Sequence, residues 1–508
     1  MGQKYIDFKL PTDYNSEILK SKIEKEIGTR DFFFEINKQS LDARQSRKIH
    51  WATRVKVTSP AIKSEIEQIP KFSLPEFKSN RGKMAVVGSG PAGFFAAWVG
   101  LLSGLEVTIF ELGPEVFKRI REVKAFEKNG KLNERANYAY GEGGAGTFSD
   151  GKLTSRTKSI AAERAWIFEQ YIEAGAPEEI KYLSKPHIGS NLLVKTARNM
   201  RKKFIERGGH IHFDTAVTSI NKKGNKVISI ETEKGLFDAD YFIFAPGHSS
   251  YSTYRILMDA GARFVNKPFA IGSRIEHSQE LINIAKWKQP QIPGVKAADY
   301  ALTYNDASLP VYSFCMCPGG MVVPAPPSRR ANIVNGMSNY KRNYPYSNSA
   351  IVAGISLPEL LNRVVSPMES LDWVNELENK FYEFANGYSA PAVKAADLLR
   401  SKQTSVFPSS SYPFPRITAN FTDLFPAVVV KSMQLALKYF NKKITGFDEG
   451  ILMGLESRTS SPIQVLRSDT GLVNGIDNLW MVGEGSGYSG GIVSSAADGI
   501  KAVVALCK

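Results

Sequence analysis

Met84-Ala85-Val86-Val87-Gly88-Ser89-Gly90-Pro91-Ala92-Gly93 decides how the rest of this 508-residue chain is read. The apolar residues 84–87 predict a buried strand, and the glycine turn behind them opens onto Pro91–Leu102, apolar enough for a buried helix. Glu106-Val107-Thr108-Ile109-Phe110 predicts a second strand, with Glu111 directly after it. A G-x-G-x-x-G turn set between strand and helix, followed by a strand ending in an acid, has the context that a dinucleotide fingerprint requires. In that reading Gly88 permits the tight turn, Gly90 lets a diphosphate approach the backbone, and Gly93 lets the helix seat closely on the sheet. Ser89, Pro91 and Ala92 complete the turn, the helix N-terminus faces the diphosphate, and Glu111 accepts from a ribose. Met84–Leu105 carries no charge and reaches the length of a membrane span, about 20 residues. Its glycines and Pro91 favour strand, turn and helix over a span.

Working outward, residues 1–78 read as a small β-α-β-β module. Lys4–Leu10 alternates like a half-buried strand, Ser16–Ile27 is an amphipathic helix stopped by Gly28, and Asp31–Asn37 and Ile49–Val57 are further strands. Ser40–Gln45 is the polar link between the last two, and Pro60–Gly82 a linker. Residues 79–261 hold the dinucleotide turn and then closely spaced strands at 210–213, 216–221, 226–232 and 241–245. Residues 262–445 are mixed and rich in proline and aromatics, and 446–508 return to a strand, glycine loop and helix.

Composition narrows the function classes. Hydrophobic residues at 43% and charged residues at 23% exclude general disorder and fibrous repeats. Three cysteines exclude a disulfide-stapled scaffold and leave too few ligands for a zinc finger, so no metal site is expected. The formal charge of +15 suits acidic small molecules, an anionic membrane surface or nucleic acid. The basic residues are spread along the chain, so the charge alone decides little among these three, and nucleic acid is not an expected partner. The N-terminus lacks the apolar core of a leader, predicting a cytoplasmic protein.

Two further segments bear on the dinucleotide. Asp240–Gly247 predicts a buried strand ending in a small-residue turn, and it resembles the strand that crosses close to the nucleotide in two-dinucleotide-domain flavoproteins, which implies that Ala245 and Gly247 lie beside it. Leu479–Gly485 resembles the second flavin motif of two-dinucleotide-domain flavoproteins. There Gly483 and Glu484 lie at the ribityl chain, and Gly491 and Ile492 begin a helix whose N-terminus faces the flavin. The glycine loop Gly141–Leu153 would lie against the flavin through Gly143, Gly144, Ala145 and Gly146, with Lys152 reaching toward phosphate or substrate. FAD therefore outranks NAD as the bound cofactor.

With these motifs the chain resembles the family of uncharacterised FAD-dependent dehydrogenases found mostly in bacteria. Further markers are Lys185–Gly189, Ile275-Glu276-His277, Phe314–Gly320, Asn335–Ser338, Glu456–Pro462 and Gly485–Asp498. The chain departs from the family pattern at Glu111-Leu112-Gly113, where relatives carry Glu-Arg-Gly, and at Tyr251-Ser252, where they carry Arg-Asp. The resemblance implies an α/β fold. It consists of a glutathione-reductase-like FAD-binding Rossmann domain in discontinuous pieces, an inserted mixed α+β substrate domain, and the small N-terminal domain.

The function expected is that of an FAD-dependent oxidoreductase moving a hydride to or from a small or lipid-like molecule, with NAD(P)H as a candidate transient reductant. His277 and His187 are candidate acid–base residues, and Arg274 and Arg458 candidate carboxylate binders. Cys315-Met316-Cys317-Pro318 reads first as strand residues entering a turn, with a redox role for Cys317 as the alternative. Other function classes are a non-catalytic flavoprotein that binds a polyanion such as RNA, and a lipid reductase at the membrane surface.

Overall fold

A computed structural model describes residues 1–64, 72–76, 82–155 and 157–507. Residues 65–71 and 77–81 of the Pro60–Gly82 linker lie outside the described residues. The strand Lys83–Val87 is buried from Met84 onward, as a strand covered on both faces must be, and it forms the middle of a parallel sheet. Among the described residues that sheet runs Leu479–Met481, Tyr241–Phe244, Lys83–Val87, Glu106–Phe110, His210–His212, with every pair parallel. In chain order this is 5-4-1-2-3, so the strand order reverses beside Lys83–Val87. The crevice at such a switch point is where open α/β sheets bind ligands.

The helices Pro91–Leu102 and Ile492–Leu506 start and stop where the sequence predicts. Pro91 occupies the first helical position, where its missing N–H costs nothing. The two helices lie against each other so closely that a Cβ on Gly499 would come 2.1 Å from the Ala92 carbonyl oxygen. Val217–Lys223, Lys226–Thr232 and Gly235–Asp238 form an antiparallel meander leading into Tyr241–Phe244.

The second large unit is built on a mixed sheet, seven-stranded among the described residues. Its order is Thr303–Tyr304, Val311–Cys317, Tyr346–Ile355, Phe269–Ser278, Ile451–Glu456, Ala390–Lys394, Arg416–Thr418. Ile451–Glu456 pairs antiparallel with Phe269–Ser278, so this sheet takes in chain beyond residue 445, where the sequence alone would end the inserted domain. Pairing register between distant strands carries no local signature, which is why the sequence boundary falls short. The helix Pro367–Ala385 begins with a reciprocal cap between Ser366 and Glu369 and packs its apolar face into this unit's core.

The N-terminal module is the predicted β-α-β-β unit: Gly2–Leu10, Ser16–Ile27, Phe33–Asp42 and His50–Ser59, with His50–Ser59 central in an antiparallel sheet. Asn15 caps the helix by accepting from Ile18 N at 3.0 Å. The strand Phe33–Asp42 runs through Ser40-Leu41-Asp42, so the polar link is shorter than the sequence suggests. Gln39 N donates to Tyr182 O at 2.7 Å and Ser184 N to Gln39 O at 2.8 Å, docking the module onto the main body.

Candidate functional site

The turn after Lys83–Val87 has the geometry its glycines require. Gly88 has φ +100°, and a Cβ there would stand 2.4 Å from the Ala245 carbonyl oxygen. A Cβ on Gly93 would lie 2.0 Å from the carbonyl oxygen of Gly88, so the first helical turn seats on the loop only without a side chain. Gly90 caps the helix with no side chain over its end, and the first-turn amides have no partner inside the helix. They are free to meet an anion.

Glu111 is buried and holds two glycine segments together. One carboxylate oxygen accepts from Ser89 N at 2.9 Å and Ser89 Oγ at 2.7 Å. The other accepts from Gly113 N at 3.0 Å and Gly141 N at 3.1 Å. The carboxylate thus shapes the turn and the glycine loop together, a role the ribose reading did not include.

The glycine loop is organised from below by Arg119, which has no exposed surface. Its guanidinium donates to the carbonyls of Asn137 (2.8 Å), Tyr138 (3.0 Å), Gly141 (3.2 Å), Glu142 (2.9 Å) and Gly144 (2.8 Å). Burial pulls its pKa down to about 10, opposed by Glu111 and Glu142, so it keeps its charge at neutral pH. No motif in the sequence singles it out.

These pieces enclose one cleft of about 1160 Å³, open mouth included. Of the residues predicted to hold a cofactor, Gly88, Ser89, Gly90, Pro91, Ala92 and Glu111 line it from the first turn. Gly144, Ala145 and Gly146 line it from the glycine loop, Ala245 and Gly247 from the central strand, and Gly483, Glu484, Gly491 and Ile492 from the C-terminal segment. Gly93 lies behind the wall, Gly143 faces a neighbouring apolar cavity, and Lys152 belongs to a cluster described below. Asp498 accepts from Gly483 N at 2.8 Å and pairs with Arg467 at 2.9 Å, fixing the start of the C-terminal loop. His248 Nδ1 stands 3.4 Å from Glu484, and Lys267 donates to the Gly487 carbonyl. Burial lowers the Lys267 pKa, with Glu484 opposing. His248 and Lys267 were not legible as site residues, since neither sits in a motif.

The predicted catalytic side chains fall elsewhere. His277 is buried on Phe269–Ser278, its ring 4.6 Å from that of Phe447 and its Nε2 2.7 Å from the Phe447 carbonyl oxygen. Burial lowers its pKa to about 4. Arg458 pairs with Glu378 at 2.8 Å and donates to Ser249 O at 3.0 Å, close to the cleft wall. Arg274, fully buried, pairs with Glu456 at 3.0 Å. His187 lies opposite Lys152 in a short antiparallel bridge, its Nε2 3.1 Å from Tyr340 O, and burial followed by Arg342 lowers its pKa to about 4. Asp150 binds Arg342, Nε to Oδ1 at 3.0 Å, and lies 3.5 Å from Lys152 Nζ. Burial works against this carboxylate, yet Lys152 and Arg342 hold its pKa well below the usual range. Cys317 is buried next to Lys152 and Arg274, and Cys315 beside it is partly exposed.

Among the described residues, no helix is long and apolar enough to cross a membrane, and no His, Cys, Asp and Glu side chains gather as three or more metal ligands.

Residues 268–459 match the family described as "FAD-dependent protein, C-terminal domain-like". A protein of Clostridium beijerinckii, described as "Uncharacterized protein", is 36% identical over 532 aligned positions, covering 99% of this chain and 98% of that one. Solved structures similar to the chain include CtdE in complex with FAD, at TM-score 0.36 and 11% identity over 84% of this chain and 85% of that one. Glycine oxidase from Bacillus cereus matches at TM-score 0.32 and 11% identity, over 83% and 94% of the two chains. L-proline dehydrogenase from P. horikoshii matches at 0.35 and 12%, over 84% and 92%. FAD is the cofactor of this chain, and the chain belongs to the family of the C. beijerinckii protein.

Proposed function

We propose that the chain is an FAD-dependent oxidoreductase in which a hydride passes between a small-molecule substrate and the flavin. The observation that carries this reading is that one cleft joins two helix N-termini, at Pro91 and at Ile492. Bound FAD supplies a ring that accepts or donates a hydride. The amides opening Pro91–Leu102 bind the diphosphate, and Glu111 orients the adenosine ribose while holding the turn in shape. Gly144–Gly146 and Ala245–Gly247 close the cleft from either side and exclude water. The N-terminus of Ile492–Leu506 stabilises negative charge at the flavin end. His248 Nδ1, beside Glu484, is the position in the cleft wall where a proton is held or released. Arg274 and Arg458 are each neutralised by a buried carboxylate, so we assign them to holding the second unit together and not to binding an acidic substrate.

Anaerobic stopped-flow of the FAD-loaded chain against NADH, NADPH and a panel of small amines, hydroxy acids and other metabolites tests the reading. Bleaching of the flavin by one of them at a saturating rate is expected. Protein that stays colourless when supplied with FAD, or a bound flavin that no donor bleaches, overturns it.

A further inference from the structure

Away from the cleft lining, segments far apart in the chain bring two cysteines and two cations together. Val311–Cys317 pairs with Tyr346–Ile355 in regular antiparallel register as far as Phe314, opposite Ala350; the next pair is Cys317 with Asn348. The register shift is a bulge that inserts one extra residue at Cys315-Met316. Cys315 has φ +46°, a left-handed conformation unusual for a side chain with a Cβ. A regular strand would send Cys315 and Cys317 along the same face as independent residues; the bulge changes that relation and brings the Cys317 thiol onto the backbone of Cys315. Cys317 Sγ donates to the Cys315 carbonyl oxygen at 3.3 Å.

Both carbonyls of the bulge are held by cations. Lys152 donates to Met316 O, and Arg274 Nη1 donates to Cys315 O at 3.3 Å. Arg274 is itself fixed by Glu456 and by Asn348 Oδ1 at 2.7 Å, and Lys152 by Asp150. The two thiols are unequal: Cys315 is partly exposed and Cys317 fully buried. A strained backbone, neighbouring cysteines, flanking cations and one partly exposed member suit an attacking thiolate with a resolving partner.

We propose that Cys315 and Cys317 form a thiol–disulfide exchange site for small-molecule disulfides, with Cys315 attacking and Cys317 resolving. The Cys315 thiolate attacks one sulfur of R–S–S–R, the S–S bond breaks, a mixed disulfide forms and one RS⁻ leaves. Cys317 gives its proton to solvent and attacks the Cys315 sulfur, expelling the second RS⁻. Two cysteine thiols become one disulfide, and the substrate disulfide becomes two thiols, so one electron pair passes from protein to substrate. The neighbouring Cys317 thiol, then the charges of Lys152 and Arg274, lower the Cys315 pKa against the cost of burial, while Asp150 opposes. The Cys317 pKa is raised by the neighbouring Cys315 thiol and by burial, which suits a thiol that waits.

The test uses the FAD-loaded full chain carrying Cys507→Ser to remove the remaining thiol, with 5,5′-dithiobis(2-nitrobenzoate) as the disulfide and the flavin kept oxidised. Two equivalents of thionitrobenzoate are expected in one fast phase, with the protein lighter by two hydrogen atoms and a Cys315–Cys317 disulfide in its peptide map. Cys317→Ser is expected to release one equivalent and keep the adduct; Cys315→Ser loses the fast phase. A stable adduct on Cys315 in the chain that retains both thiols, or no release before unfolding, overturns the proposal. The peptide map needs neither Cys315 nor Cys317 replaced, so it decides even where those variants do not fold. No hydride donor is present, so failure here is separate from failure of the hydride-transfer reading.

Discussion

Arg119 donates to the carbonyl oxygen of Gly144 across 2.8 Å from a position with no exposed surface. Through this bond, two more to the same loop at Gly141 and Glu142, and two to Asn137 and Tyr138 just before it, a helix residue sets the shape of the glycine segment that closes the cleft.

Replacing Arg119 with Met leaves those carbonyls buried without a donor. Hydrogen bonds from a charged group contribute about 1.5–3 kcal/mol each, so a loss of stability of at least about 3 kcal/mol is expected. Flavin content per chain falls with it. Absorbance of the purified protein and a thermal melt check this; an R119M protein with full flavin and an unchanged melting temperature would refute the role given to Arg119.

Gly90→Ala and Gly93→Ala separate binding from folding. A Cβ on Gly90 meets nothing nearer than Gly144 Cα at 3.8 Å and points into open space, so the chain folds while its FAD affinity drops. A Cβ on Gly93 collides with the Gly88 carbonyl oxygen at 2.0 Å and pushes helix from sheet, so stability falls as well. Circular dichroism melts of both variants, each with and without added FAD, distinguish the two effects.

Glu111→Gln is expected to be harmful despite its near-identical shape. The four groups bonded to Glu111 all donate to it, and the amide of Gln presents N–H groups to backbone donors it cannot satisfy. An unsatisfied buried group costs about 1–3 kcal/mol, measurable as a shift of the urea midpoint at constant slope.

Acid weakens the fold through its buried imidazoles. Burial lowers His187 and His277 to a pKa of about 4, so in the folded chain both stay neutral while the unfolded chain takes up protons below about pH 6.5. Stability is fully present above that pH, is lost as pH falls from there toward the folded value, and levels off below it. Each histidine would cost about 2 kcal/mol by pH 5. Urea titrations between pH 7 and pH 5 measure the slope, and His277→Phe should flatten part of it. A variant with the slope of the parent chain would remove His277 from this account.

Much of the nucleotide end of the fold was legible because it depends on local rules. The helices Pro91–Leu102 and Ile492–Leu506, the strand Glu106–Phe110 and the N-terminal helix with its Gly28 stop follow from apolar periodicity, a proline at the first helical position and glycines where φ must be positive. For the same reason most residues assigned to the cofactor turn up in one cleft. Residue type says which histidines and arginines are suited to acid–base work or carboxylate binding, but not whether a side chain ends up in a cleft or in a core. His277 against Phe447 and Arg274 against Glu456 show the difference.

What residue order determined here is the succession of strand, turn and helix around residue 88 and the cofactor class it implies, because backbone conformation and amphipathic period are settled within a few neighbours. Tertiary structure alone decided that Arg274 meets Glu456 across 182 positions, that Lys152 reaches the Met316 carbonyl across 164, and that a bulge falls at Cys315-Met316. Those contacts depend on how distant strands register, and a pairing energy shared over a whole sheet leaves no mark on any single stretch of sequence.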